Sequence, residues 1–174
     1  VSGRDEAMTA EVLLAHYAAG ERDFRGVNLE GADLAGAELA LANLKDSNLK
    51  RAKLEGANLE GASLAYANLT SATLEDAHLV DANLVGTTLK GARLKGAHLA
   101  GASLEEANLK GVELDGVKFA HAKPSIVRLG GTVPGRGVIR PDDAMRARIG
   151  GGHDQPVSLA TGDGGPRRSA GRFR

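Results

Sequence analysis

The 174-residue chain contains no cysteine. It can therefore build neither a disulfide framework nor a thiolate nucleophile or thiolate metal site. Aromatic residues make up only 3% of it, so any core must be made from Leu and Ala. No stretch approaches 18 apolar residues, which excludes a membrane-spanning helix from the reading. The N-terminus lacks the apolar run of a secretory signal, and a cytoplasmic protein is expected. The formal charge is zero, with 22 bases against 22 acids, so composition alone points to no polyanionic partner.

That balance hides a division along the chain. Residues 21–123 carry 12 bases and 15 acids, whereas residues 124–174 carry nine bases, all Arg, and four acids. The same last segment holds all five prolines and 11 of the 24 glycines. Such a shift in composition marks a boundary. Residues 124–174 are expected to be a mostly disordered tail, with a brief helix over 142–149. Residues 1–8 are expected to be disordered, with Met8 an alternative start, and residues 9–20 to form a capping helix. Thr9 is the expected N-cap, Glu11 suits the first turn, and Gly20 can stop the helix.

What fills residues 21–123 is a repeat. Leu or Phe stands at every fifth position from Phe24 to Phe119, 20 times without a break, and Ala stands two residues earlier in 14 of those units. A typical unit is Ala57-Asn58-Leu59-Glu60-Gly61. In an α-helix five residues advance 500°, so successive Leu would fall about 140° apart and make no apolar face. In a simple strand, odd steps alternate faces. A short unit that contributes one side of a stacked coil is the remaining solution, because stacked units share the core that no single unit can bury.

These residues resemble the pentapeptide-repeat family. The likeness covers about 100 residues from Phe24 and extends to the lead-in Leu13-Leu14-Ala15-His16-Tyr17-Ala18-Ala19-Gly20-Glu21-Arg22-Asp23-Phe24. It implies an all-β fold, a right-handed quadrilateral β-helix with four pentapeptides per turn. It also implies that Leu and the preceding Ala point inward while the other three positions face solvent. Twenty units would then form a solenoid of about five coils, roughly 24 Å long at the usual strand spacing. The helix at residues 9–20 would cover the first coil, since an uncovered end exposes strand edges. At the far end Val112 and Val117 replace Ala and the last centre is Phe119, which makes these three a candidate homodimer contact. Ser125-Ile126-Val127-Arg128-Leu129 could fold back as a cap or meet a second subunit.

Residues 20 apart should stack. Asn28, Asn48, Asn68 and Asn108 then share a column with Thr88, and their turn-forming chemistry suits a structural role. His78 and His98 share another, with Asn58 below and Lys118 above. Metal sites need three or four converging ligands, so no metal is expected there. Lys50, Lys90 and Lys110 share a column, Lys53 and Arg93 the next, and Arg51 and Lys95 lie beside them. This basic stripe is the candidate interaction surface. Glu55, Glu75, Asp76 and Glu113 lie close by, and no aromatic side chains interleave for stacking on single strands. The tail arginines, Arg136 to Arg174, are diluted by Gly and Asp.

No nucleophile elbow, phosphate loop or dinucleotide fingerprint occurs. No enzyme activity, cofactor or small-molecule substrate is expected. Three function classes follow. The first is a non-enzymatic interaction scaffold with a protein partner. The second is a DNA mimic that modulates gyrase, as the resemblance allows for some family members. The third is a weak nucleic-acid binder using the basic stripe and the tail. The scaffold is the expected class and the mimic the alternative, since a net acidic coil with a basic column departs from a strongly acidic mimic. Nucleic acid is the less expected partner, because acids flank the stripe, no aromatics interleave and the tail arginines are diluted.

Overall fold

The computed structural model describes residues 8–119, together with the backbone of residues 149–151 and 155–157. Helix α1, Ala10–Ala18, opens the described chain. Thr9 caps it, its side chain accepting from the Val12 N–H, and Glu11 lies in the first turn near the positive end of the helix dipole. Leu13 is fully buried, and Met8, Leu14 and Tyr17 pack against the same core. The Tyr17 hydroxyl donates to the Ala40 carbonyl at 2.8 Å, and the Arg22 guanidinium lies 3.7 Å over the Tyr17 ring. These contacts seat α1 against the start of the repeat.

From residue 23 onward each five-residue unit makes one turn. The carbonyl of the central Leu accepts from the N–H three residues on, as in Ala32 N–H to Leu29 O at 3.0 Å. The residue two after each Leu has positive φ, at every fifth position from Gly26 to Gly116. Type II turns require this conformation, which Gly adopts without steric cost. Residues 20 apart then meet through single parallel bridges, from Asp23 with Asn43 to His98 with Lys118. In each lap of 20 residues the Leu N–H donates to the lap above, as from Leu29 to Asn48 O at 2.8 Å. The N–H before the Leu donates to the lap below, as from Asn48 to Val27 O at 2.9 Å.

The all-β class, a right-handed quadrilateral β-helix solenoid, is corrected by this backbone. No residue of 23–118 lies in a strand; each unit supplies one isolated bridge residue flanked by turns. The only strands among the described residues are β1, Ile149–Gly151, and β2, Gln155–Val157, paired antiparallel with Ile149 opposite Val157. Both lie outside the repeat. The physical reason is the turn itself. A left-handed residue every five positions redirects the chain before two consecutive residues can join a ladder. The helix expected at 142–149 lies outside the described residues except for Ile149, which is in β1. The disorder expected for residues 1–8 and for most of 124–174 also falls on residues outside the description, apart from Met8 and the two strands.

The core is a column of Leu and Ala. Leu39, Leu44, Leu49, Leu54, Leu59 and Leu64 are completely buried, as are most of the alanines two residues before each Leu. Phe24 and Phe119 close the two ends of the column. Two polar residues replace Ala without leaving a polar atom unpaired. The Ser47 hydroxyl donates to Leu44 O at 2.6 Å and the Thr87 hydroxyl to Leu64 O at 2.7 Å. A buried hydroxyl without such a partner costs on the order of 1–3 kcal/mol.

The turn corners follow a second rule. At two corners, Leu41 and Tyr66, a large left-handed apolar residue stands one lap before a glycine, and its side chain covers that glycine. A Cβ on Gly86 would lie 2.5 Å from the Tyr66 ring, and one on Gly61 would lie 2.7 Å from Leu41 Cδ2. Tyr66 and Leu41 are the two exposed large apolar residues, at 56% and 70%.

Two substitutions test this packing. Leu79→Ala should lower unfolding free energy by about 2–5 kcal/mol, since a well-packed column cannot collapse around the lost side chain. Gly86→Ala should cost about 1–2 kcal/mol from the left-handed backbone, and more from the clash with Tyr66. Adding Tyr66→Ala should recover only the clash. Urea melts of the two single variants and the pair check this; additive losses would refute the corner rule.

Candidate interaction surface

The turn and bridge pattern decides which side chains reach solvent. In each unit the bridge residue before Leu and the residue after it point away from the core, and the left-handed residue occupies the corner. Asn and Asp at the bridge position serve the turn. The side-chain oxygens of Asn28, Asn48, Asn58, Asn68, Asn83 and Asn108 each accept from the N–H two residues on, at 3.1–3.3 Å. Asn48 also donates to Asn28 in the lap below at 2.9 Å. The Asn column is therefore a structural ladder that holds turn geometry.

All seven residues of the expected basic stripe lie on two adjoining faces, along the Asn28–Asn48–Asn68–Thr88–Asn108 and Asp33–Lys53–Thr73–Arg93–Glu113 columns. They do not form one uniform positive surface. Lys53 donates to Asp33 one lap below at 2.9 Å, and Lys50 reaches Glu30 at 3.1 Å, with Arg51 3.9 Å from the same carboxylate. Arg93 pairs with Glu75 at 2.6 Å. Lys90, Lys95 and Lys110 have no ion-pair partner among the described residues, and all three are exposed. The stripe is thus paired throughout its early part, at Lys50, Arg51 and Lys53, and in its later part only at Arg93, beside the free Lys90, Lys95 and Lys110.

The paired acids carry the expected electrostatic mark. Hydrogen bonds from Lys50 and Asn48 hold the Glu30 carboxyl below its usual range. The Lys53 ammonium does the same for Asp33, helped by the Ala35 N–H. Lys53 is correspondingly raised by Asp33. Because the folded acids titrate below their unfolded values, their contribution is present above the unfolded pKa and is lost as pH falls through the folded one.

Glu55, Thr73 and Glu75 lie on the same face as Arg93. One carboxylate oxygen of each Glu and the Thr73 hydroxyl are buried without a hydrogen bond. No group of three or more His, Asp or Glu among the described residues has an arrangement that could hold a metal ion. His78 and His98 stack face to face, 5.1 Å between centroids and 16° between planes. Stacked rings do not aim their nitrogens at a common point. Of the candidate dimer residues, Val112 and Phe119 are buried in the core and Val117 is half-buried. Only Val117 of the three has surface to offer a second copy. The tail arginines lie outside the described residues.

The family model for pentapeptide repeats matches residues 23–61, 52–91 and 89–123. The chain belongs to the pentapeptide-repeat family. Members are structural and interaction proteins rather than enzymes, and the chain is non-enzymatic. Among solved structures it is similar to a pentapeptide repeat protein of the Arabidopsis thaliana thylakoid lumen, with 29% identity and a TM-score of 0.55 over 62% of this chain and 72% of that one. It is also similar to the pentapeptide repeat protein Rfr23 of the cyanobacterium Cyanothece 51142, with 32% identity and a TM-score of 0.50 over 62% of this chain and 90% of that one. QnrB1, a plasmid-mediated fluoroquinolone resistance protein, shares the fold at 20% identity and a TM-score of 0.60, over 75% of this chain and 63% of that one. No curated protein sequence matches the chain. No helix among the described residues is long and apolar enough to cross a membrane.

The ion-pair assignment is checked by an NMR titration of carboxyl groups. Asp33 should titrate below its ordinary 3.8 and move up toward it in Lys53→Met. An Asp33 midpoint that ignores the substitution would show that the pair does not form in solution.

Proposed function

We propose that the chain is a non-enzymatic scaffold whose stacked faces bind a protein partner, with the corner at Lys90, Lys95 and Lys110 as the contact for an acidic surface. The charge map carries this reading. Four of the seven basic residues on the two adjoining faces share three acids of the lap below, and three have no ion-pair partner among the described residues. Repeat stacks of this kind present flat, rigid surfaces at little cost in ordering on binding.

The DNA-mimic reading has less support. Duplex DNA carries about one negative charge per 1.7 Å of axis. The repeat has 15 acids, but 12 bases stand among them. Several of these bases lie within 4 Å of an acid in the next lap, so the field of a phosphate backbone is largely cancelled. QnrB1 supports the fold alone at its level of identity. Direct nucleic-acid binding would rest on three free lysines and on arginines outside the described residues. Contacts of this kind weaken steeply with salt.

Purified protein should therefore neither inhibit supercoiling by DNA gyrase nor protect the enzyme from a quinolone. Duplex binding should be weak and disappear at physiological salt. Gyrase modulation at low micromolar protein would replace the scaffold reading with the mimic. Salt-resistant duplex binding would replace it with nucleic-acid recognition. For a partner captured by the chain, Lys90→Glu with Lys110→Glu should weaken binding without changing the melting midpoint. Unchanged binding by the double variant would rule out the lysine corner as the contact.

A further inference from the structure

One column of the repeat combines groups whose charge changes near neutral pH. From the first laps to the last it reads Glu38, Asn58, His78, His98, Lys118, each bridged to the next. Asn58 donates to the Glu38 carboxylate at 2.8 Å. Above it the two imidazoles stack, and the Lys118 ammonium lies 2.9 Å from His98 Nε2. An ammonium can only donate. His98 Nε2 must therefore accept, which places the proton of the neutral ring on Nδ1. The arrangement is satisfied only while His98 is uncharged.

The surroundings offer little to compensate a proton there. Lys118 and His78 both oppose a charge on His98, and partial burial opposes it most. Asp76, one corner away, acts in the opposite sense as the smallest contribution. Beside the imidazoles on the same face stand Val80 and Ala100, with Glu60 one lap below Val80, Asp81 at the next corner with its side chain over Gly101, and Glu38 occupied by Asn58. The same column carries backbone bonds that fasten the last described lap. Leu99 N–H donates to Lys118 O at 2.7 Å, and Lys118 N–H donates to Ala97 O at 2.9 Å.

We propose that the His78–His98–Lys118 column is an acid-sensitive latch, which holds the last described lap at neutral pH and loosens it when a proton enters the imidazole stack. Protonation of His98 removes the acceptor of the Lys118 hydrogen bond and sets two cations in contact. It also sets an imidazolium against the second ring. The group is depressed in the fold, so the unfolded chain takes up the proton first. The contribution is thus complete above the unfolded imidazole pKa and declines as pH falls below it. The loosening is local, because the Leu and Ala core beneath the column does not titrate.

The test combines histidine NMR titration with amide exchange of the full chain. The His98 midpoint should lie below about 6.5 and rise toward it in Lys118→Gln. Between about pH 7.5 and pH 5.5, exchange at Leu99 and Lys118, corrected for intrinsic rates, should accelerate several-fold relative to Leu59. In His98→Asn that difference should vanish. Asn occupies the same position in other units, as at Asn58, so this variant keeps a residue the repeat accepts. A His98 midpoint at or above the ordinary value would overturn the proposal. So would equal acid acceleration in wild type and His98→Asn.

Discussion

The left-handed residue that ends each five-residue unit constrains everything else. Positive φ is unfavourable for most L-residues, yet it recurs at every fifth position from Gly26 to Gly116, and eight of these residues are not glycine. Each such turn sends the chain in a new direction before a strand can extend. The left-handed residue's own N–H points along the stack rather than into water, as from Gly31 to Lys50 O at 2.8 Å. The strain is tolerated because the hydrogen bonds between laps recur at every unit and the Leu and Ala side chains fill the interior. A turn that failed would release three bonds at once and expose a core Leu.

The same constraint writes the surface chemistry. A residue's important neighbours are those 20 positions away, not those beside it in the chain. Lys53 finds Asp33, Lys50 finds Glu30, His98 finds both His78 and Lys118, and Asn48 finds Asn28. Charge on such a molecule is best read column by column. Read in that way, the basic stripe divides into four residues that touch acids of the lap below and three lysines that do not, among many acids of the same repeat, which favours selective contact with a protein over general attraction to a polyanion.

The register of this molecule was legible because Leu at every fifth position has no other physical use. The spacing identified a stacked repeat, and the family resemblance it carries implied the inward Leu and Ala and the columns of residues 20 apart. The all-β class was taken from the family resemblance, which implies strands along each side of the coil, with an inward–outward alternation of three residues per unit. The alternation is real, but the turn truncates it to one bridge per unit. The corner rule was also missed. Leu41 and Tyr66 each lie over a glycine one lap on, Gly61 and Gly86. The signal was present as a bulky corner residue followed 20 positions later by Gly. The basic stripe was legible as a cluster, but its partial neutralisation was not. Arg93 chose Glu75 rather than Glu113 of its own column, and side-chain reach of that kind is not encoded in the period.

The absence of native cysteine allows the 20-residue register to be measured directly. In Ser63→Cys with Asn83→Cys, the two thiols replace bridged residues of adjacent laps, at a separation that suits the roughly 4.4–6.8 Å between Cα atoms of a disulfide. Mild oxidation should close an intramolecular disulfide in this pair. It should close none in Ser63→Cys with Thr88→Cys, whose positions belong to different columns. Crosslinking of both pairs to the same extent, or of the second pair alone, would contradict the stacked register on which the core, the ion pairs and the latch all depend.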